Sequence, residues 1–135
     1  MHVQPYLNFG GRADEAIAFY EKALGAKLDM RMRFKENPDA PDAANDPRGD
    51  KVMHASLNIG DTVVMLSDGK SDDGPHFRSV MLTLTVASAA EADRYFKSLT
   101  EGGGSVVMPL MKTFFSPRFG MVADPFGLTW IVLTH

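Results

Sequence analysis

The side chains of this sequence that could do chemistry are few, and cysteine is not among them. That excludes disulfides, zinc-thiolate and iron-sulfur ligation, and a thiol nucleophile. Four histidines remain. His2 and His135 lie at the chain ends, where a side chain is seldom held well enough to position a reaction. His76, in Gly74-Pro75-His76-Phe77, reads as a solvated loop histidine or a rim contact. His54 differs, because it sits between Met53 and Ala55 inside an apolar-rich stretch. Its imidazole is either a hydrogen-bonded structural group, or a ligand contact or general base. Asp68, after Ser67, is placed to pair with His54 or to cap a turn. Trp130, Phe114 and Phe115 could fill a core or line a cleft, and Met65, Met81 and the other methionines could pack gaps or form a deformable binding surface. No Ser-His-Asp or paired-carboxylate arrangement can be read from spacing.

The elements that would hold these residues follow from periodicity. His2 to Phe9 reads as a strand closed by Gly10-Gly11. From Ala13 to Leu24 the apolar residues Ala16, Ile17, Tyr20 and Leu24 recur at helical spacing, with Asp14 and Glu15 at the positive end of the dipole and Gly25 as C-cap. Lys27 to Lys35 alternates apolar with charged residues, the pattern of a strand with one wet face. Glu36 to Asp50 carries three prolines and several aspartates and reads as a mobile acidic loop. Strands are expected at Val52 to Ile59 and Thr62 to Leu66 around Gly60-Asp61, then at Arg78 to Val86. Ser88 with Glu91 forms a capping box that opens a second helix, Ala89 to Glu101, ended by three glycines. Ser105 to Leu110, Phe119 to Ala123 and Thr129 to Leu133 complete the strands, with Asp124 and Gly127 as the makers of a type I turn.

The chain has 135 residues, 44% hydrophobic and 23% charged, which excludes intrinsic disorder and collagen-like repeats and predicts one compact domain. The net charge is −3 and the basic residues are scattered, so nucleic acid is not an expected partner. No apolar run reaches the ~20 residues of a membrane span and no signal-peptide pattern opens the chain, so a cytoplasmic location away from membranes is expected.

The order strand, helix, three strands occurs twice, and Glu15-Ala16-x-x-Phe19-Tyr20 overlays Glu91-Ala92-x-x-Tyr95-Phe96. The expected fold is therefore α+β, with two βαβββ modules, 1–68 and 78–135, forming a curved mixed sheet around a central cleft. One helix covers only one face of each sheet, which leaves the other face to be covered by the second module or by a second chain.

The stretches Pro5-Tyr6-Leu7-Asn8-Phe9, Glu15 to Tyr20, Val52-Met53-His54-Ala55, Met65 to Asp68, Thr113-Phe114-Phe115 and Phe119 to Trp130 resemble the vicinal-oxygen-chelate superfamily, also called glyoxalase/bleomycin resistance/dioxygenase, and within it the PhnB-like branch. Similar sequences often bear the name of a demethylubiquinone methyltransferase, yet no Gly-rich loop follows the first strand of a βαβ unit to hold adenosylmethionine. Metal-dependent members place His or Glu/Gln on the first and last strand of each module. Carried over, those positions fall on Pro5, on Val64 or Met65, on Met81 and on Ile131, none of which offers a side-chain nitrogen or oxygen to a cation. The resemblance thus implies a protein without metal or other cofactor, whose cleft holds a small apolar or aromatic molecule near His54, Met65, Met81, Phe114, Phe115 and Trp130. The bleomycin-resistance relatives, which sequester a drug without transforming it, are the pattern for such a protein, and pairing of modules between chains implies a homodimer. The alternative is a metal-dependent lyase, isomerase or dioxygenase whose displaced ligand set includes His54 and carboxylates of the acidic loop.

Overall fold

The computed structural model describes residues Met1–His135. Strand β1 (Tyr6–Asn8) leads into helix α1 (Ala13–Leu24), followed by β2 (Lys27–Arg33), β3 (Val52–Ile59) and β4 (Thr62–Ser67). The pattern then repeats as β5 (Met81–Val86), α2 (Ala89–Thr100), β6 (Ser105–Met111), β7 (Arg118–Ala123) and β8 (Thr129–Thr134). Strand ladders close within each repeat. They give two four-stranded mixed sheets, β1-β4-β3-β2 and β5-β8-β7-β6, in which the first strand pairs parallel to the fourth and the others antiparallel. The architecture is α+β.

Two compact units result, Met1–Pro75 and His76–His135. The first takes in residues 69–75 because they are tied back to it: Gly74 N–H donates to the Gly10 carbonyl at 2.9 Å. That contact needs glycine at position 10, where φ is +53° and an added Cβ would lie 2.3 Å from the Gly74 oxygen.

Helix α1 has the limits its periodicity predicts and buries Ala13, Ala16, Ile17, Tyr20, Ala23 and Leu24. Gly25 ends it in the left-handed region at φ +65°. Helix α2 opens as the Ser88 pattern predicts, with Ser88 Oγ accepting from Glu91 N–H at 3.2 Å. The Glu91 carboxylate reaches back to Ala87 N–H rather than to Ser88 itself.

Four expectations shift, the simplest being that β5 begins at Met81 and not at Arg78. Strand β1 is shorter than His2 to Phe9, because Pro5 has no N–H to donate to the ladder and contributes only its carbonyl, which accepts from Met65 N–H at 3.0 Å. Strand β2 stops at Arg33, whose N–H is taken at 2.8 Å by the Glu36 carboxylate as the chain coils through Phe34–Glu36. Its charged side is not simply wet, since Arg31 and Arg33 reach Asp14 on α1 at 3.0 and 2.8 Å. The acidic stretch 36–50 holds a short 3-10 turn at Ala43–Asn45, and its Asn37 and Asp46 side chains each accept from a backbone N–H two residues on. Arg48 fastens it further, donating to the carbonyls of Gly69 and Ser71 and to the Asp72 carboxylate while lying over the Phe34 ring. No helix is long and apolar enough to cross a membrane.

Candidate functional site

Strand alternation sorts the first sheet into two faces. Leu7, Ala55, Leu57, Val64 and Leu66 are buried on the side covered by α1, where Phe9 meets the Tyr20 ring. The other face carries Tyr6, His54, Ser56, Met65 and Met32. Tyr6 stands opposite Met65, Met65 opposite Ser56, and Met32 opposite His54. The Tyr6 side chain crosses β4 to reach β3, so that its hydroxyl lies 3.0 Å from His54 Nδ1, with the two rings 5.5 Å apart and tilted. Both groups are accessible, Tyr6 at 53%.

This geometry decides the register of the ligand positions carried over from the superfamily. Val64 faces the helix and Met65 the side away from α1. Tyr6, not Pro5, is the β1 residue that shares that side, because it is Tyr6 that pairs with Met65. The one-residue correction follows from the short β1: Pro5 lies outside the strand. Sequence reasoning passed over Tyr6. The signal was present in Tyr6-Leu7-Asn8-Phe9, where only Leu7 and Phe9 can be the inward pair once Phe9 packs on the helix.

Asp68 does not turn to His54. It is 1% exposed and committed to backbone: Oδ1 accepts from Gly11 and Ala13 N–H, both at 2.9 Å, and Oδ2 from Val52 N–H at 2.8 Å. Because the N-cap residue Arg12 makes no capping hydrogen bond, Asp68 caps α1 from across the sheet and meets the positive end of the helix dipole.

In the second unit, Met81, Thr83, Thr129 and Ile131 share the face away from α2, with Met81 opposite Thr129 and Thr83 opposite Ile131. Phe114 and Phe115 occupy the turn between β6 and β7, held by Thr113 N–H donating to the Ser116 carbonyl at 2.9 Å. Their rings meet edge to face 5.0 Å apart, and Phe115 also meets Phe119 at 5.1 Å. Phe114 is wholly exposed and Phe115 half exposed. Trp130 lies on the helix-covered face at 3% exposure, and its indole N–H donates to Asp124 at 2.9 Å. Asp124 is more than a turn-maker. Its buried carboxylate also accepts from Phe126 and Leu128 N–H, which ties the turn to the core.

The metal of the superfamily's enzymes does not fit these residues. At the positions in question stand a phenol already bonded to His54, two methionines and an isoleucine. No three His, Asp or Glu side chains converge anywhere in the chain so as to hold an ion. Two carboxylates of the acidic loop are engaged elsewhere, Asp46 by Arg48 N–H and Asp50 by Lys35 at 2.7 Å.

Known proteins agree with this architecture. The sequence profile of the Glyoxalase/Bleomycin resistance protein/Dioxygenase superfamily matches residues 2–132. Protein YjdN of Escherichia coli K12 is 33% identical over 98% of this chain and 94% of its own length. Protein PA1353 of Pseudomonas aeruginosa superposes with a TM-score of 0.84 at 38% identity, covering 100% of this chain and 98% of that one. A PhnB protein of Bacillus cereus shares the fold over the full length of both chains, with a TM-score of 0.80 at 23% identity. With its duplicated βαβββ pattern and a superfamily match spanning nearly all its length, this chain belongs to the glyoxalase/bleomycin resistance protein/dioxygenase superfamily.

Proposed function

We propose that this protein binds a small apolar or aromatic molecule without a metal ion, and that it does so as a homodimer. The observation that carries the reading is the replacement of the superfamily's ligand positions by Tyr6, Met65, Met81 and Ile131, with no acidic or imidazole cluster elsewhere to take over. What stands there instead suits a small organic molecule: thioethers, which adapt to irregular shapes, and an aromatic ring on the uncovered face of the first sheet. Pairing of two chains is supported by the second unit, whose exposed large apolar residues include Met81, Val106, Val107, Met111, Phe114 and Phe115.

Thermal denaturation in the presence of a metal series and of an aromatic ligand series tests the reading. A ligand at 100 times its Kd adds about 2.7 kcal/mol to the native state, several degrees in a domain of this size. Zinc, nickel, iron and manganese should leave the midpoint unchanged, while some aromatic compounds raise it. A metal shift of that size, lost in His54→Ala, would promote the enzyme with a displaced ligand set instead.

A further inference from the structure

We propose that the Tyr6–His54 pair is a built hydrogen-bond donor that recognises an oxygen acceptor, a carboxylate or carbonyl, on the molecule bound to the uncovered face of the first sheet; this rests on the reading of that face as a ligand site. The pair is fixed by its surroundings. Tyr6 is held by the β1–β4 ladder opposite Met65, His54 by the β2–β3 ladder opposite Met32, and their side chains meet at 3.0 Å across the intervening strand. A phenol, with its ordinary pKa near 10, is a better donor than a neutral imidazole N–H, and the imidazole nitrogen is the better acceptor. The Tyr6 hydroxyl therefore donates to Nδ1, which places the histidine proton on Nε2.

Nε2 makes no hydrogen bond within the chain, and the face on which His54 stands carries the thioethers of Met30, Met32 and Met65 and the Tyr6 ring, with Ser56, Asn58 and Lys27 as its other polar side chains. A donor in such surroundings discriminates by what it leaves unpaired. A ligand with an oxygen at that point gains a hydrogen bond, and its hydrocarbon counterpart buries the N–H without one. Each side chain is thus a binding residue by position: His54 touches the acceptor, and Tyr6 sets the tautomer.

The test uses benzoate and toluene as probes of the whole protein. Imidazole nitrogen resonances should show His54 in the Nε2–H form, and the fixed tautomer should be lost in Tyr6→Phe. Both probes should shift the Met32 and Met65 methyl resonances, with benzoate binding at least about tenfold more tightly than toluene. His54→Phe should abolish that preference, and Tyr6→Phe should reduce it. Toluene binding with no preference for benzoate, or a preference that survives His54→Phe, overturns the proposal while leaving the ligand face standing. Failure of both probes to move either methionine overturns the ligand face itself. An Nδ1–H tautomer in the wild type overturns the assigned donor.

Discussion

The two units share strand order, ladder polarity and a twelve-residue helix, yet they bury that helix very differently. Helix α1 hides six side chains and α2 only Ala92 and Leu99. The difference continues into the sheets. Strand β3 is mostly buried, whereas β6 is exposed at every position but Leu110. A duplicated pattern thus fixes topology without fixing how much core each copy has. The first unit is knitted by polar ties that span its sequence, from Asp68 to the start of α1 and from Arg48 to residues 69–72. In the second the buried carboxylate acts locally, Asp124 within its own turn and strand, as does the Ser88–Glu91 cap, and the wider ties are Arg118 to Asp93 and the Ser116 hydroxyl to the Thr134 carbonyl.

The largest expected effect breaks this contrast at its two buried carboxylates. Asp68→Ala removes the acceptor of three backbone N–H groups, two at the N-terminus of α1 and one at the start of β3. Since an unsatisfied buried group costs about 1–3 kcal/mol, the loss should be roughly 3 kcal/mol or more, read as a fall in the urea midpoint. Asp124→Ala strands two backbone donors and the Trp130 indole, and should cost a similar amount. The ties differ in reach, so hydrogen exchange should separate the two variants. Asp68→Ala should loosen both α1 and β3, which are far apart in sequence, and Asp124→Ala only the segment from 124 to 130. Ser88→Ala, which removes an exposed local cap, should cost only about 1 kcal/mol. Equal losses in all three variants would remove the distinction between long-range and local ties.

Next in size is the apolar surface of the second unit. If a second copy covers it, Phe115→Glu should weaken dimerisation by about tenfold or more, because a charge forced into an apolar contact must be desolvated. Light scattering across a concentration series reads the change. Met111 is the exposed last residue of β6, before the turn that carries Phe115, and Met111→Glu should act in the same direction. A wild type that stays monomeric at micromolar concentration would count against the dimer.

Much of this organisation is legible in the amino-acid order, and its gaps have physical causes. Both helices could be bounded because caps and 3.6-residue periodicity are local. The strand ends were less legible, as at Arg33, where one Glu36 carboxylate captures the backbone and turns the chain. The acidic stretch 36–50 looks structureless from its prolines, and nothing in its own composition announces that Arg48 will find carbonyls more than twenty residues away. The same holds at the candidate site. His54 stood out as an in-strand histidine, but local alternation could give only the side on which Tyr6 stands, and its place beside Met65 comes from a parallel ladder between residues 59 positions apart. Trp130 shows the converse. An aromatic side chain in the last strand could face either way, and its bond to Asp124 fixes it toward the helix.

The smallest effect expected is a dependence on acidity at the ion cluster joining α1 to β2. The hydrogen bond from Arg33 holds the Asp14 carboxyl below its ordinary 3.8, with burial opposing and the charges of Arg33 and Arg31 assisting. A carboxylate whose pKa is lower folded than unfolded stabilises the native state above the unfolded value, and that contribution disappears as pH falls through the folded one. Its loss should therefore begin near pH 3.8 and be complete only below the depressed pKa. Asp14 is half exposed, so the interaction is screened and worth at most about 1 kcal/mol. Urea unfolding of wild type and Asp14→Asn should accordingly differ at pH 6 and converge toward pH 2.5. The second unit offers an internal reference in the ion pair of Arg118 with Asp93, 2.7 Å apart and likewise exposed. There a single arginine holds the carboxylate, where Asp14 has two. Asp93→Asn should consequently change stability less than Asp14→Asn at pH 6, and a larger effect at Asp93 would show that the second guanidinium on Asp14 adds nothing.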